Sequence, residues 1–435
     1  MHFLIVYNLL EIFIFIISLP VWVMALICRK KYRHGLSERL GWLSGHKINR
    51  FFGKKIIWIH AVSVGECSAV YPLYQKIKKE YSDWTFVFST VTYTGQQWMK
   101  NKLPEEDILI YFPLDIYWIT KRVLTFIRPK VIVIVETEIW PNFLWLAARM
   151  GAKACIVNGR LSDTSFRRYK WVSHFIKQLL STLSFVSVQS EKDGQRFCEL
   201  GLANDKVFYK GNLKFESSFS SMTTQKGDIE AIQRAFQLQD KVVLIGGSTH
   251  EGEEALLISC YRRLVGSGAH TLRLGLAPRH PERFKKVQSL IEKSGYRCVR
   301  SSEKIKEKWE AHTILVIDEM GKLPFYYSLA SIAFIGKSFT AHGGQNLLEA
   351  AMAGAVIIYG PYMENFREIA DLFLLEKAAL EIHHEENLYK TLHELILFPQ
   401  KRDFHASNAK KILGQNQHAV ADTLQLMEHY LLCQN

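Results

Sequence analysis

From residue 56 onward, short β-branched and aromatic runs alternate with longer amphipathic stretches, the pattern of parallel strands covered by helices on both faces. The runs predict strands over Ile56–His60, Phe86–Ser89, Val131–Val135, Ala154–Asn158 and Phe185–Val188 in the first half. The second half repeats the scheme with Val242–Ile245, Leu272–Ala277, Ile314–Ile317, Ile332–Ile335 and Val356–Tyr359. Ala69–Glu80, Tyr117–Phe126 and Phe143–Met150 carry helical periodicity and are long enough for right-handed crossovers. The alternation stops at Glu216–Asp228, where Ser217, Ser218, Ser220, Ser221, Thr223 and Thr224 crowd together. The expected organisation is an N-terminal segment 1–28, a Rossmann-like domain 29–215, a linker 216–228 and a second Rossmann-like domain 229–435. The fold class is α/β, with two doubly wound domains facing a cleft. In such sheets ligands bind beyond the carboxyl ends of the strands.

Before the first strand, Phe3 to Ile27 is almost continuously apolar, broken by Asn8, Glu11, Ser18 and Pro20, and is long enough to cross a hydrocarbon core. Arg29, Lys30, Lys31 and Arg33 follow it, whereas a cleavable signal peptide carries its positive charge ahead of the apolar run. This predicts a transmembrane anchor with the remaining chain in the cytoplasm. A buried or surface-lying helix is the competing reading, and Glu11 and Pro20 speak for it. The basic cluster is suited to anionic headgroups, or is a stop-transfer flank only.

The 435 residues suit two domains; 48% are hydrophobic and 22% charged, so large cores can form and a disordered polyelectrolyte is excluded. A net charge of +13 attracts anions: nucleic acid, phosphorylated small molecules or an acidic lipid surface. Cys28, Cys67, Cys155, Cys198, Cys260, Cys298 and Cys433 are odd in number and never spaced as CxxC, which disfavours a disulfide framework or a zinc site and fits a reduced compartment.

Several strand ends carry candidate chemistry. His60-Ala-Val-Ser-Val-Gly-Glu66 leaves a strand and enters a helix, so Glu66 is either a general base or a carboxylate that complements the helix dipole. Glu136-Thr-Glu138-Ile-Trp-Pro141-Asn142 places two acids after an apolar strand, costly unless they are paired or used. Gly246-Gly247-Ser248-Thr249-His250 could cradle an anion on backbone amides, and Arg279 in Ala277-Pro-Arg279-His280-Pro-Glu-Arg283 could pair with phosphate or sit in a solvated basic turn. Gly336-Lys337-Ser338 and Gly343-Gly344-Gln345-Asn346-Leu-Leu-Glu349 predict a phosphate on helix amides and a ribose diol on Glu349, or else an ordinary small-residue helix. No Asp-x-Asp, HExxH or GxxxxGK[ST] occurs, which disfavours a carboxylate-held metal and an ATPase.

Taken in order, these motifs together with Pro113-Leu-Asp115, Asn158-Gly-Arg160-Leu-Ser162, Gly211-Asn-Leu-Lys214, Gly247–Gly252 and Asp318–Leu323 resemble the Kdo transferases, which add 3-deoxy-D-manno-octulosonic acid to the lipid A precursor. The resemblance runs from the N-terminal segment almost to the C-terminus. It implies a GT-B glycosyltransferase, CMP-Kdo as donor and the tetraacylated lipid A precursor (lipid IVA) as acceptor. It also implies inverting, metal-independent transfer without a cofactor, at the cytoplasmic face of a Gram-negative inner membrane, with membrane lipids but no nucleic acid as partners. Carried over residue by residue, Glu66 is the general base and Glu138, with Glu136 as alternative, the second acid. Arg279, His280, Met320, Gly321, Lys337, Ser338, Asn346 and Glu349 fall to the donor. Ser63, Arg160, Lys214, Ser248 and His250 fall to substrate binding. Lys322, where an acidic residue is usual, and Gly159, where alanine is commoner, depart from the pattern.

The rival readings are another GT-B enzyme acting on UDP-sugars, a hexosyltransferase or an epimerase, and a membrane-tethered anion-binding protein without activity.

Overall fold

A computed structural model of the chain describes residues 4–11, 13, 16–18, 34–219, 233, 234, 236–303 and 309–432. The chain forms two compact units, 1–217 with 418–435, and 218–417.

The first unit is built on a seven-stranded parallel sheet. Its strands are β1 (Ile56–His60), β2 (Thr85–Thr90), β3 (Ile108–Tyr111), β4 (Val131–Val135), β5 (Lys153–Gly159), β6 (Leu183–Val188) and β7 (Val207–Tyr209), in the order β3-β2-β1-β4-β5-β6-β7. Every residue of β1 and β4 is buried. Alternate side chains feed opposite cores: Ile56, Trp58, Ile132 and Ile134 one, Ile57, Ile59, Val131, Val133 and Val135 the other. That double burial explains why these strands read as unbroken apolar runs.

The second unit repeats the plan with β8 (Val242–Thr249), β9 (Leu272–Pro278), β10 (Arg297–Arg300), β11 (Thr313–Val316), β12 (Ile332–Ile335), β13 (Val356–Tyr359) and β14 (Ala379–Glu381). The order is β10-β11-β9-β8-β12-β13-β14, all parallel. Chain direction across each sheet reverses beside its first strand, between β1 and β4 in one unit and between β8 and β12 in the other. The crevices at the carboxyl ends of these pairs are where such sheets take ligands.

Two boundaries differ from the sequence reading. Residues 418–435 belong to the first unit, where Val420, Leu424, Met427 and Leu431 join the core beside helix α1 (Val64–Glu80). The apolar face of that last segment has nothing in the linear pattern to say which sheet it covers. Gly246 and Gly247 lie inside β8 rather than in a turn after it. Most of the expected linker 216–228 lies outside the described residues.

Among the described residues no helix is long and apolar enough to cross a membrane, so the expected transmembrane helix over 1–28 is not supported. Much of that span lies outside the described residues. Its described part is helical and holds to the first unit by polar contacts: Asn8 and Asn142 exchange side-chain hydrogen bonds of 2.9 and 3.0 Å, and the Tyr7 hydroxyl donates to Asp115 at 3.2 Å.

Candidate active site

In the first unit the predicted residues collect at the carboxyl ends of β1, β4 and β5. Glu66 stands in the first turn of α1, nearly buried. The Val62 amide donates to its Oε2 at 2.7 Å and the Ser63 hydroxyl to its Oε1 at 3.0 Å. Burial, and next the negative charge of Glu136, push the Glu66 carboxyl up to about 7 despite these bonds. Glu138 is also lifted to about 7 by burial and by Glu136, with the Trp140 indole opposing. Glu136 itself sits in the left-handed region at φ 60° and pairs with Lys214 Nζ at 2.9 Å. Backbone strain in a non-glycine residue persists where its surroundings dictate it, and here it turns an acid toward a lysine.

The neighbouring loops are tied in by hydrogen bonds. The Arg160 amide donates to Thr137 at 3.2 Å, so Arg160 lies beside the acidic loop. Asn212 accepts from the Lys214 amide at 2.9 Å, and Asn158, at φ 57°, accepts from the Leu213 amide at 2.9 Å. Ser63, Glu66, Glu136, Glu138, Arg160 and Lys214 thus share one end of one sheet. Glu66 thus caps backbone at the helix start, and it does so as a buried carboxyl raised to about 7.

Asp115 carries no assigned role in the sequence beyond its place in Pro113-Leu-Asp115. It is buried and accepts from the Asn142 and Phe143 amides at 2.9 and 2.8 Å, which fixes the start of helix α2 (Pro141–Arg149) directly after the acids. Burial pushes its carboxyl up to about 8. Its place after Pro113-Leu was the available signal. His60 is wholly buried, stacked on Phe112 and bonded through Nδ1 to Ser89; burial pushes its imidazole down to about 3, so it is neutral.

In the second unit a pocket of about 400 Å³ opens at the carboxyl ends of β8, β9 and β11. Six predicted residues line it: Ser248, Arg279, Met320, Gly321, Asn346 and Glu349. Burial raises the Glu349 carboxyl, while Asn346 and the charge of Arg279 hold it down. Phe284, Glu319 and Gln345 also line the pocket; Glu319 and Gln345 fall inside the sequence motifs without an assigned role, and Phe284 falls in none.

The remaining candidates lie differently. His250 and His280 are edge to face with ring centroids 5.3 Å apart, and His280 is exposed. Burial and then the His280 charge lower the His250 imidazole. The Ser338 side chain is enclosed: its hydroxyl donates to Ile335 O at 2.5 Å and accepts from the Gly360 amide at 2.8 Å, which leaves it no reach toward a ligand. The Lys337 and Ser338 amides are also committed, both to Glu253. Nor do the paired glycines offer free amides: Gly343 donates to Glu364 at 2.7 Å and Gly344 to Lys337 O at 2.7 Å. Helix α3 (Glu253–Gly266) follows β8, and the short helix α4 (Leu348–Met352) begins only after the glycines, its Leu348 amide donating to Asn346 Oδ1 at 3.0 Å. Gly336 is needed for contact, since a Cβ there would lie 2.2 Å from Ser248 O.

Two parallel α/β units, each with its candidate residues at the carboxyl ends of its central strands, have the architecture of the GT-B fold. Solved structures agree: UDP-GlcNAc 2-epimerase from Neisseria meningitidis bound to UDP-GlcNAc matches 86% of this chain and 100% of its own at TM-score 0.55 and 13% identity, a likeness of fold. Residues 34–217 match the family described as 3-deoxy-D-manno-octulosonic-acid transferase (kdotransferase). The 3-deoxy-D-manno-octulosonic acid transferase of Haemophilus influenzae is 30% identical over 402 residues, 92% of each chain. That of Rickettsia bellii is 30% identical over 426 residues, 96% of this chain and 98% of the relative. The chain belongs to the Kdo transferase family of glycosyltransferases.

Proposed function

We propose that this Kdo transferase takes Kdo from CMP-Kdo and attaches it, with inversion and without a metal ion, to a hydroxyl of a lipid A precursor in lipopolysaccharide synthesis. The observation that carries the reading is Glu66: a nearly buried carboxyl lifted to about 7 at the reversal point of the first sheet. Such a group accepts a proton at neutral pH and loses it again. The acceptor hydroxyl proton passes to Glu66, its oxygen bonds to the anomeric carbon of Kdo, and the bond from that carbon to the phosphate oxygen breaks with its electron pair leaving on CMP. Glu138, with Glu136 as the alternative, orients a sugar hydroxyl, and Arg160 and Lys214 meet anionic groups of the substrates. Arg279, supported by His280, His250 and Lys337, answers the phosphate charge of the leaving group. Met320, Gly321, Ser248, Asn346 and Glu349 hold the nucleoside side.

Work at a lipid surface fits the first unit, on which Trp42, Phe52, Trp118 and Trp171 are exposed, Trp171 to 92%. On this reading the protein works at the cytoplasmic face of the inner membrane. Mass spectrometry of tetraacylated lipid A precursor incubated with CMP-Kdo, EDTA and purified protein tests the function. The lipid should gain whole Kdo units; unchanged lipid with well-folded protein, with or without added metal, would refute the substrate assignment.

A further inference from the structure

We propose that Glu253 is a positioning residue of the donor site, a built-in anion that locks the loops carrying His250 and Lys337. The inference rests on the reading of the second unit as donor-binding. Glu253 is the first residue of α3 and is wholly buried. Its Oε2 accepts from the amides of His250 and Lys337, each at 2.9 Å, and its Oε1 from those of Ser338 and Phe339, each at 3.0 Å. An ionised carboxylate offers about four lone-pair positions, so its accepting capacity is filled.

Three of those amides are consecutive, and Lys337 at φ 58° turns them inward. Converging amides of this kind form a nest that ordinarily holds phosphate. Here the protein supplies the anion from its own side chain. Glu254 is no substitute, because it is engaged by Arg283 at 2.7 and 2.9 Å and by Thr249 at 2.8 Å.

The two loops leave β8 and β12, the pair flanking the reversal of the second sheet. One carries His250 beside His280; the other carries Lys337, whose Nζ lies 3.3 Å from where a Cβ on Gly343 would stand. With Glu253 removed, four amides face one another without an acceptor and the loops must separate, taking the His250 and Lys337 side chains out of register.

Calorimetric titration with CMP, beside steady-state transfer assays, tests the inference on the full chain. Wild type is expected to bind CMP. A folded Glu253→Ala variant should bind it on the order of tenfold to a hundredfold more weakly and show a raised donor KM with kcat less affected. Formate in excess, small enough to enter the vacated cradle, should restore part of the affinity to this variant and none to wild type. If Glu253→Ala does not fold, Glu253→Asp, too short to span all four amides, should show the weakened binding at unchanged helix content. Equal CMP affinity in wild type and a folded variant overturns the inference and leaves the donor reading standing. A weakened variant indifferent to formate also overturns it. Wild type that does not bind CMP overturns the donor reading and the inference together.

Discussion

Glu66 and Glu253 occupy corresponding places, each at the start of the helix that follows the first strand of its sheet, and burial raises both carboxyls. What differs is how the charge is answered. Glu253 receives four backbone amides. Glu66 receives one amide and one hydroxyl, and faces the like charges of Glu136 and Glu138. On the proposed reading Glu253 is a brace and Glu66 the proton acceptor. Burial of an acid therefore does not identify a catalytic group; the inventory of its partners does.

The largest effect expected from that contrast is kinetic. Glu66→Gln can keep the bond from Val62, yet transfer should slow by about 10³-fold at unchanged CMP affinity, as measured by kcat and by titration. On the bracing side, Arg283→Ala leaves the buried Glu254 without its bidentate partner and should lower unfolding free energy by about 3 kcal/mol in denaturant titrations. Glu138→Gln should act in the opposite sense. The Glu138 carboxyl lies near 7 in the folded chain against an ordinary 4.5, so its stabilising contribution is complete below about pH 4.5 and is lost as pH rises through 7. Neutralising it should raise stability by on the order of 1–2 kcal/mol at pH 8, and by nothing measurable at pH 4.5, in thermal or denaturant melts.

The interior strands were readable from the chain, several to the residue: Ile56–His60, Val131–Val135, Ile332–Ile335 and Val356–Tyr359. The four strands that the pattern did not reveal, β3, β7, β10 and β14, are the edges of the two sheets. Three of them are short and partly exposed, as in Arg297-Cys-Val-Arg300, so no apolar run announces them; β3, Ile108-Leu-Ile-Tyr111, is apolar and mostly buried, and only its four-residue length hides it. The site divides in the same way. Glu66, Glu138, Arg279 and Glu349 follow strands or open helices, which is a local signal. Asp115 and Glu253 act on amides distant in sequence, from Asn142 and from 337–339, and only the folded chain brings these together. Ser338 shows the converse, since a hydroxyl beside a lysine after a strand reads as a ligand and is buried structure.

The smallest expected effect is the sharpest in meaning. Because the Glu136 charge is the main electrostatic contribution lifting Glu66, Glu136→Gln should move the rising limb of the pH–rate profile down by about half a pH unit. The most direct test of Glu66 as the proton acceptor is the single-turnover rate of Kdo transfer across pH 5 to 9. Wild type should show one rising limb with an apparent pKa near 7, absent in Glu66→Gln. A flat wild-type profile, or a limb retained at full rate in Glu66→Gln, would contradict it.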